Sequence, residues 1–317
     1  MLFNIFTVHL KKLELKITYL PQANIDKQKW DRCIETAGNG LIYAYSFYLD
    51  AMSKNWDALI MNDYEAIMPL TWNKKYGIYY LYQPFFAAHL GVFGNGLSSI
   101  IVQSFLEAIP AKFKYWDFYL NEKNLYTIPG FTMYERSNYV LSLDKRYEDL
   151  TANYAKSHLR NIKRARDAGN ILKKNIPVGD VIILAKEQAK NFSPVTGKDY
   201  ENLSRLFAIL QKKKMAVTYG IYSSQQQLVS SCAWFFSHNR AYYILVGNHP
   251  NGRTSGASHL MIDHFILEHA GKKLLLDFEG SDIKNLAWFY RSFGAKEEKY
   301  PGIKLNKLPS IVKLFKQ

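Results

Sequence analysis

Two carboxylates stand where an apolar run ends, and a tyrosine follows one helix later. The stretch is "LLLDFEGSDIKNLAWFYRSFGA", residues 274–295, and the residues are Asp277, Glu279 and Tyr290. Side chains alternate along a strand, so Asp277 and Glu279 are expected on one side and Phe278 on the other. A carboxylate at an open strand end can accept the proton of an attacking amine, directly or through water. Glu279 is the better candidate because it lies nearer the open end. The plainer reading makes Glu279 a cap for the helix near Ile283 and Tyr290 a core ring.

A second candidate set lies upstream in "VGNHPNGRTSGAS", residues 246–258. An apolar strand pattern enters it and a helix pattern leaves it. Backbone N–H groups at a helix N-terminus suit a pyrophosphate, and glycines let the ligand come close. Arg253 adds a fixed cation, and Thr254, Ser255 and Ser258 add hydroxyls. Val246, Gly247, Arg253, Thr254, Ser255, Gly256, Ala257 and Ser258 are therefore expected to hold an acyl carrier. An ordinary turn with Ser258 near a cap is the alternative.

The densest basic stretch runs from Asn153 to Lys174, with seven Lys/Arg and one acid, a net +6. Helical spacing puts Ala155, Leu159, Ile162 and Ala165 on a narrow apolar stripe. Lys156, Arg160 and Lys163 share another face, and Gly169 is the expected helix stop. That face could meet phosphates of a nucleotide tail, tRNA or lipid-linked precursor, or simply be solvated.

The elements that must position these residues show a repeat. Residues 96–118 and 256–278 align without a gap at an offset of 160. Identical pairs are Gly96/Gly256, Ser98/Ser258, Phe105/Phe265, Lys112/Lys272, Asp117/Asp277 and Phe118/Phe278. Both copies read glycine, amphipathic helix, turn, apolar strand, Asp-Phe, after a hairpin and a further strand. In the second copy, helices are expected at 181–190, 200–213, 257–270 and 283–292. Strands are expected at 216–222, 228–236, 241–247 and 272–278, and the basic end from Lys296 reads as an irregular strand and tail. Such alternation gives an α/β protein with a mixed sheet. Tyr119 stands where Glu279 does in the other copy. An acid kept in both copies suits a structural task, and one found in a single copy suits chemistry. The loop at Gly91, Gly94 and Gly96 lacks an arginine and reads as structural, in a decayed copy.

Arg253 to Ser258, "RTSGAS", resembles the Arg/Gln-x-x-Gly-x-Gly/Ala loop of the GNAT acyltransferase superfamily, with Ser258 departing from its last position. "AWFYRSFG", residues 287–294, is similar to that superfamily's closing helix, where a tyrosine stands four residues before a glycine. "SHLRNIKRARDAGNILKK" and "DFEGSDIKNLAWFYRSFGAKEEKY" look like recurring segments of its duplicated, Fem-type branch. The resemblance implies two tandem GNAT-like units, each a mixed, mostly antiparallel sheet flanked by helices, at 17–140 and 141–317. It implies acyl transfer to an amine, with Tyr290 protonating the departing thiolate. Fem enzymes that use aminoacyl-tRNA typically insert a long coiled-coil arm, and no sustained heptad pattern occurs here. The first reading is therefore an N-acyltransferase using acyl-CoA, acetyl-CoA above all, as co-substrate, with a small-molecule or peptide amine as acceptor. Aminoacyl-tRNA as donor is the second reading, and a binding scaffold that has lost its chemistry is the third.

Bulk properties bound these readings. The 317 residues are 48% apolar and 21% charged, a globular composition with enough chain for a sizeable core. The formal net charge of +14 favours anionic partners without choosing among them. No run reaches the roughly 20 apolar residues of a membrane span, and the N-terminal charges follow the apolar stretch instead of preceding it. A cytoplasmic location is expected, with a frayed or alternative start before Ile17. Cys33 and Cys232 read as buried thiols. His259/Asp263 and His264/Glu268 share helix faces, but neither pair forms HExxH and no third ligand is indicated, so no metal is expected. No Gly-x-Ser-x-Gly elbow or Walker loop occurs.

Overall fold

The computed structural model describes residues 16–190, 193–280 and 282–308. The segment before residue 16 and the basic tail beyond residue 308, both read above, lie outside the described residues. The first half of the chain runs β1 (Ile17–Leu20), α1 (Lys27–Thr36), a 3-10 turn (Ile42–Ala44), α2 (Ser46–Met52), β2 (Asn55–Met61), β3 (Ala66–Lys75), β4 (Ile78–Tyr82), β5 (Phe93–Gly94), α3 (Ser99–Glu107), β6 (Phe113–Tyr119) and β7 (Thr132–Ser142). The second half runs α4 (Tyr147–Thr151), α5 (Lys156–Asp167), β8 (Ile171–Lys174), α6 (Val178–Ala189), α7 (Gly197–Lys212), β9 (Ala216–Tyr222), β10 (Leu228–Ser237), β11 (Arg240–Asn248), α8 (Pro250–Ser255), α9 (Ala257–His269), β12 (Leu275–Asp277), α10 (Lys284–Arg291) and β13 (Lys296–Asn306).

All these strands join one mixed sheet in the order β1-β2-β3-β4-β6-β13-β7-β12-β11-β10-β9-β8, with β5 beside β3. The order reads alike from either end if β13 and β7 exchange places. β4 pairs β6 in parallel, and β11 pairs β12 in parallel. At the centre, β13 lies between β6 and β7, and β7 lies between β13 and β12. The last strand of each half therefore hydrogen-bonds into the other half.

The basic end read as an irregular strand is thus an 11-residue central strand. Its Lys/Glu-rich start and its proline disguise it, because proline cannot donate to a ladder. Pro301 turns its carbonyl towards the backbone N–H of Leu120, so its missing donor faces the β6 side. The β6 ladder begins only at the next residue, Gly302 paired with Tyr119.

Three apolar cores hold the sheet. α3 covers one face of the first half, over Leu59, Met68, Phe113 and Phe118. α5, α9 and α10 cover one face of the second, where Trp234 stacks on Phe265 with centroids 3.9 Å apart. The third core is shared: α1, α2 and the 3-10 turn pack with α6 and α7 over Phe235, Tyr242 and Leu245. Cys33 and Cys232 are buried and free. α5 stops where expected, with Gly169 at φ +69° beyond its cap, but its buried stripe is His158, Ile162 and Ala165, and Ala155 is its N-cap. Leu159 is 45% exposed. His158 replaces it because its Nε2 reaches the Phe289 carbonyl at 3.0 Å and its ring meets those of His259 and Phe293.

Candidate functional site

β12 ends at Asp277 because two successive residues, Glu279 (φ +66°) and Gly280 (φ +79°), turn left-handed. The first is unusual for a residue with a side chain, and such conformations persist where surroundings fix them. Asp277 fixes this one: its Oδ1 accepts the backbone N–H of Glu279 at 2.8 Å. The rest of Asp277 is committed as well. Asn138 on β7 donates to Oδ1 at 3.0 Å, and Arg240 at the start of β11 donates to Oδ2 at 2.6 Å. Arg240 also meets Glu298 at 3.2 Å and lies 3.8 Å from Glu122. Asp277 is fully buried and structurally occupied.

Glu279 lies past the end of β12 in a left-handed conformation, so strand alternation does not set its direction, while Phe278 joins the α10-side core. Glu279 is not the cap residue of α10, which is Ile283. Its carboxylate accepts the phenol of Tyr43, from the 3-10 turn of the first half. Burial, and then the charge of Asp277, push the Glu279 carboxyl well above the usual carboxylate range, against the Tyr43 bond and Arg240. Tyr43 is fully buried and ringed by Tyr48, Tyr242 and His89, with centroids 5.3–5.9 Å away. This arrangement can hold a proton at Glu279 and release it at a pH nearer neutrality than a free carboxyl could.

Tyr290 is placed differently from Tyr43. Its ring stacks on Phe278 at 4.5 Å within the α10-side core. Burial, with the charges of Glu279 and Asp277, raises its pKa above that of a free phenol. The phenol that meets Glu279 is Tyr43.

The segment expected to hold a carrier is partly helical: Pro250–Ser255 form α8 where an open loop was expected, with His249 as cap. Its glycines admit neighbouring backbone. A Cβ on Gly247 would lie 2.6 Å from the Ala185 nitrogen of α6, and one on Gly252 would lie 2.0 Å from the Val229 carbonyl. One on Gly256 would lie 2.5 Å from the Asn161 carbonyl of α5. Arg164 of α5 donates to the Thr254 carbonyl at 3.0 Å, so α5 lies against the start of α9. Val246 continues β11, paired with Cys232, and Ala257 is buried at the start of α9. Ser258 bonds Asn248, Ser255 the Gly252 carbonyl and Thr254 the Asn251 carbonyl, while Arg253 is exposed. Lys156, Arg160 and Lys163 all face solvent on α5, with Lys163 paired to Asp167 at 2.6 Å. β11 and β12 run parallel with Tyr242 beside Asp277, so the carrier segment after Asn248 and Glu279 after Asp277 both follow the C-terminal ends of adjacent strands. Asp263 pairs with Arg166 and Glu268 with Lys174.

No family model matches the chain, and no curated protein matches it in sequence. Solved structures do match. A crystal structure of FemX aligns with a TM-score of 0.64 at 11% identity, over 95% of this chain and 100% of that one. The fold is of the Fem type. L-PGS from Bacillus licheniformis shares it, with a TM-score of 0.55 at 12% identity over 92% of this chain and 94% of that one. A conserved protein of unknown function from Bacteroides thetaiotaomicron VPI-5482 shares it too, at 0.58, 14%, 91% and 99%. Such identities establish a fold. Within this Fem-type fold, Tyr43, His89, Glu122, Asn138, Arg240 and Glu298 had no sequence signal. Arg240 follows the His-Asn turn of a hairpin and resembles a solvated turn residue. No helix among the described residues is long and apolar enough to cross a membrane.

Proposed function

We propose that the protein is an N-acyltransferase that moves an acyl group from an activated carrier to an amine, with Glu279 as base. One observation carries this: a carboxyl with a raised pKa, held at a strand end by Asp277 and by a phenol from the other half. The amine nitrogen attacks the carrier's carbonyl, and the N–C bond forms as the proton passes to Glu279. The bond to the carrier then breaks, and the proton goes on to the departing sulfur or oxygen. Asp277 and Arg240 are positioning residues. The palindromic strand order and the 160-residue repeat support an origin in two GNAT-like units, 17–140 and 141–317, whose last strands are exchanged.

Acyl-CoA remains the first reading for the donor. Aminoacyl-tRNA is favoured by a different observation: the glycines of the carrier segment are closed by protein backbone, while the basic face of α5 is exposed. A thermal-shift panel of acetyl-CoA, longer acyl-CoAs, bare CoA and aminoacyl-tRNA separates the two, since a ligand of the native state raises its apparent stability. Silence across the panel overturns the transferase reading, as does a Glu279→Gln protein that turns over like the parent.

A further inference from the structure

A groove of about 1020 Å³ runs between the two halves, with β4 and the end of α2 on one side and α7 on the other. It is a different place from the site above, since Tyr43, Asp277 and Glu279 do not line it. Phe85 does line it, and the carbonyl of the next residue, Phe86, accepts the phenol of Tyr48. Tyr48 packs on Tyr43 with centroids 5.6 Å apart, and Tyr43 in turn meets Glu279. The floor of the groove follows from strand alternation. Tyr79 and Leu81 of β4 pack into the α3-side core, so Tyr80 and Tyr82 stand on the opposite face of the sheet. Asn73 of β3 pairs with Tyr80 on that face.

Two large apolar side chains line the groove from opposite halves, Phe85 and Ile209, and each keeps 38% of its surface exposed. A single exposed apolar residue is ordinary, but two on the walls of one cavity suit a bound apolar body. The charge of the groove is one-sided. Its acids are engaged: Asp50 meets Lys27 at 2.6 Å and Trp56 at 3.0 Å, and Asp199 closes the cap of α7 with the backbone N–H and hydroxyl of Thr196 at 2.8 and 2.6 Å. Its cations are less engaged. Arg205 donates to the side-chain carbonyl of Asn202, and neither Arg205 nor Lys54 pairs with a carboxylate among the described residues. The Tyr82 phenol accepts the Lys54 backbone N–H at 2.9 Å, which keeps Lys54 beside the rings. Aromatic faces stack on flat rings, and guanidinium and ammonium groups take phosphate or carboxylate.

We propose that this groove binds a small anion that carries a flat ring, with the ring against Tyr80 and Phe85 and the anionic group at Arg205 and Lys54. The inference does not rest on the transferase reading. The walls come from both halves, so the ligand holds α7 against β4 and neither half alone suffices. A nucleotide and an aryl carboxylate both supply this chemistry.

The test uses the full chain at constant ionic strength. The probes are adenosine monophosphate and phenylacetate, with adenosine, inorganic phosphate and acetate as controls that lack either the charge or the ring. At least one ring-bearing anion is expected to raise the melting temperature, while none of the controls does. A response to one probe alone names the source, nucleotide or aryl acid. Arg205→Ala should weaken the apparent affinity by about tenfold or more, the worth of a charge-assisted hydrogen bond. Arg205 is exposed on α7 and alanine is a good helix former, so this variant should match the parent in circular dichroism. Tyr80→Ala, a second variant, should weaken binding as well. Arg253→Ala, in the carrier segment, should leave it unchanged. No response to either probe, an equal response to the controls, or an undiminished response in folded Arg205→Ala would each overturn the proposal. So would a loss confined to Arg253→Ala, which would place the nucleotide at the carrier segment.

Discussion

Tyr43 and Glu279 stand 236 residues apart in the chain and share a hydrogen bond, phenol to carboxylate. One comes from a 3-10 turn of the first half and the other from the strand end of the second. The bond joins the halves at the point where the reaction is placed, and it favours the ionised carboxylate against the burial that opposes it.

Removing that bond gives the first prediction. Tyr43→Phe keeps the ring and deletes the donor, so the Glu279 pKa should rise further. The rising limb of kcat/KM against pH should move to higher pH, while carrier affinity stays unchanged. Glu279→Gln should lower kcat by roughly 10²–10⁴-fold with carrier affinity nearly intact. A Tyr43→Phe profile that overlays the parent's would mean the phenol does not tune the base.

Arg240 gives the second. It is nine-tenths buried and serves Asp277 and Glu298 together. Arg240→Met leaves both acids without a counter-charge, and breaking a buried pair in this way costs about 3–5 kcal/mol. Urea unfolding should show the loss as a lower midpoint at unchanged slope. A variant within 1 kcal/mol of the parent, by rough measure, would show that the acids are solvated well enough without it.

Several of these relations were legible in the residues and others were not, for physical reasons. The expected alternation reaches only to Asp277, because Glu279 lies past the strand's end and turns left-handed. Asp117 and Asp277 aligned because both occupy the strand that runs parallel to its predecessor, β6 and β12. The central place of β13 was hidden by its charged start and Pro301, which describe an edge strand when neighbours are unknown. Tyr43 was hidden because its partner is distant in sequence and no spacing rule connects them. The glycines of 246–258 were read as places where a carrier comes close. What approaches them is Ala185, Val229 and Asn161, which no local pattern could reveal.

Gly256 gives the third prediction. Its φ of +81° and its contact with the Asn161 carbonyl both exclude a side chain. Gly256→Ala should destabilise the fold by at least about 1–3 kcal/mol from the backbone conformation alone. Differential scanning calorimetry measures this. An unchanged melting temperature with weakened acyl-CoA affinity would instead give the open face of this glycine to the carrier.

The pH dependence of stability gives the fourth. Burial holds His89 down at about 4, below the roughly 6.5 of an unfolded histidine. Between those values the unfolded chain binds the proton and the folded one does not, so stability rises with pH. The contribution is complete above 6.5 and lost as pH falls towards 4, amounting to about 2 kcal/mol between pH 7 and pH 5. His89→Phe should shrink the difference between urea midpoints at these two pH values. The raised carboxyls of Glu279 and Glu122 act in the opposite sense, with stability falling as pH rises above the ordinary carboxylate range. A pH difference identical in parent and variant would show that His89 is protonated in the folded protein.

The exposed cations of α5 give the last. Lys156 and Arg160 stand one helical turn apart on a face that no core covers. If the donor is aminoacyl-tRNA, each phosphate they neutralise releases counterions, and affinity then falls steeply with salt. Lys156→Glu with Arg160→Glu should weaken aminoacyl-tRNA binding and reduce the slope of log affinity against log salt by about 2. The same variant should leave CoA affinity within a few-fold, because a carrier seated at the start of α9 would lie against Arg164 and Thr254, which are unchanged. Filter binding across a salt series reads the first effect and calorimetry with CoA reads the second. Loss of CoA affinity with an unaltered tRNA slope would assign this face to the nucleotide tail and restore acyl-CoA as the sole donor.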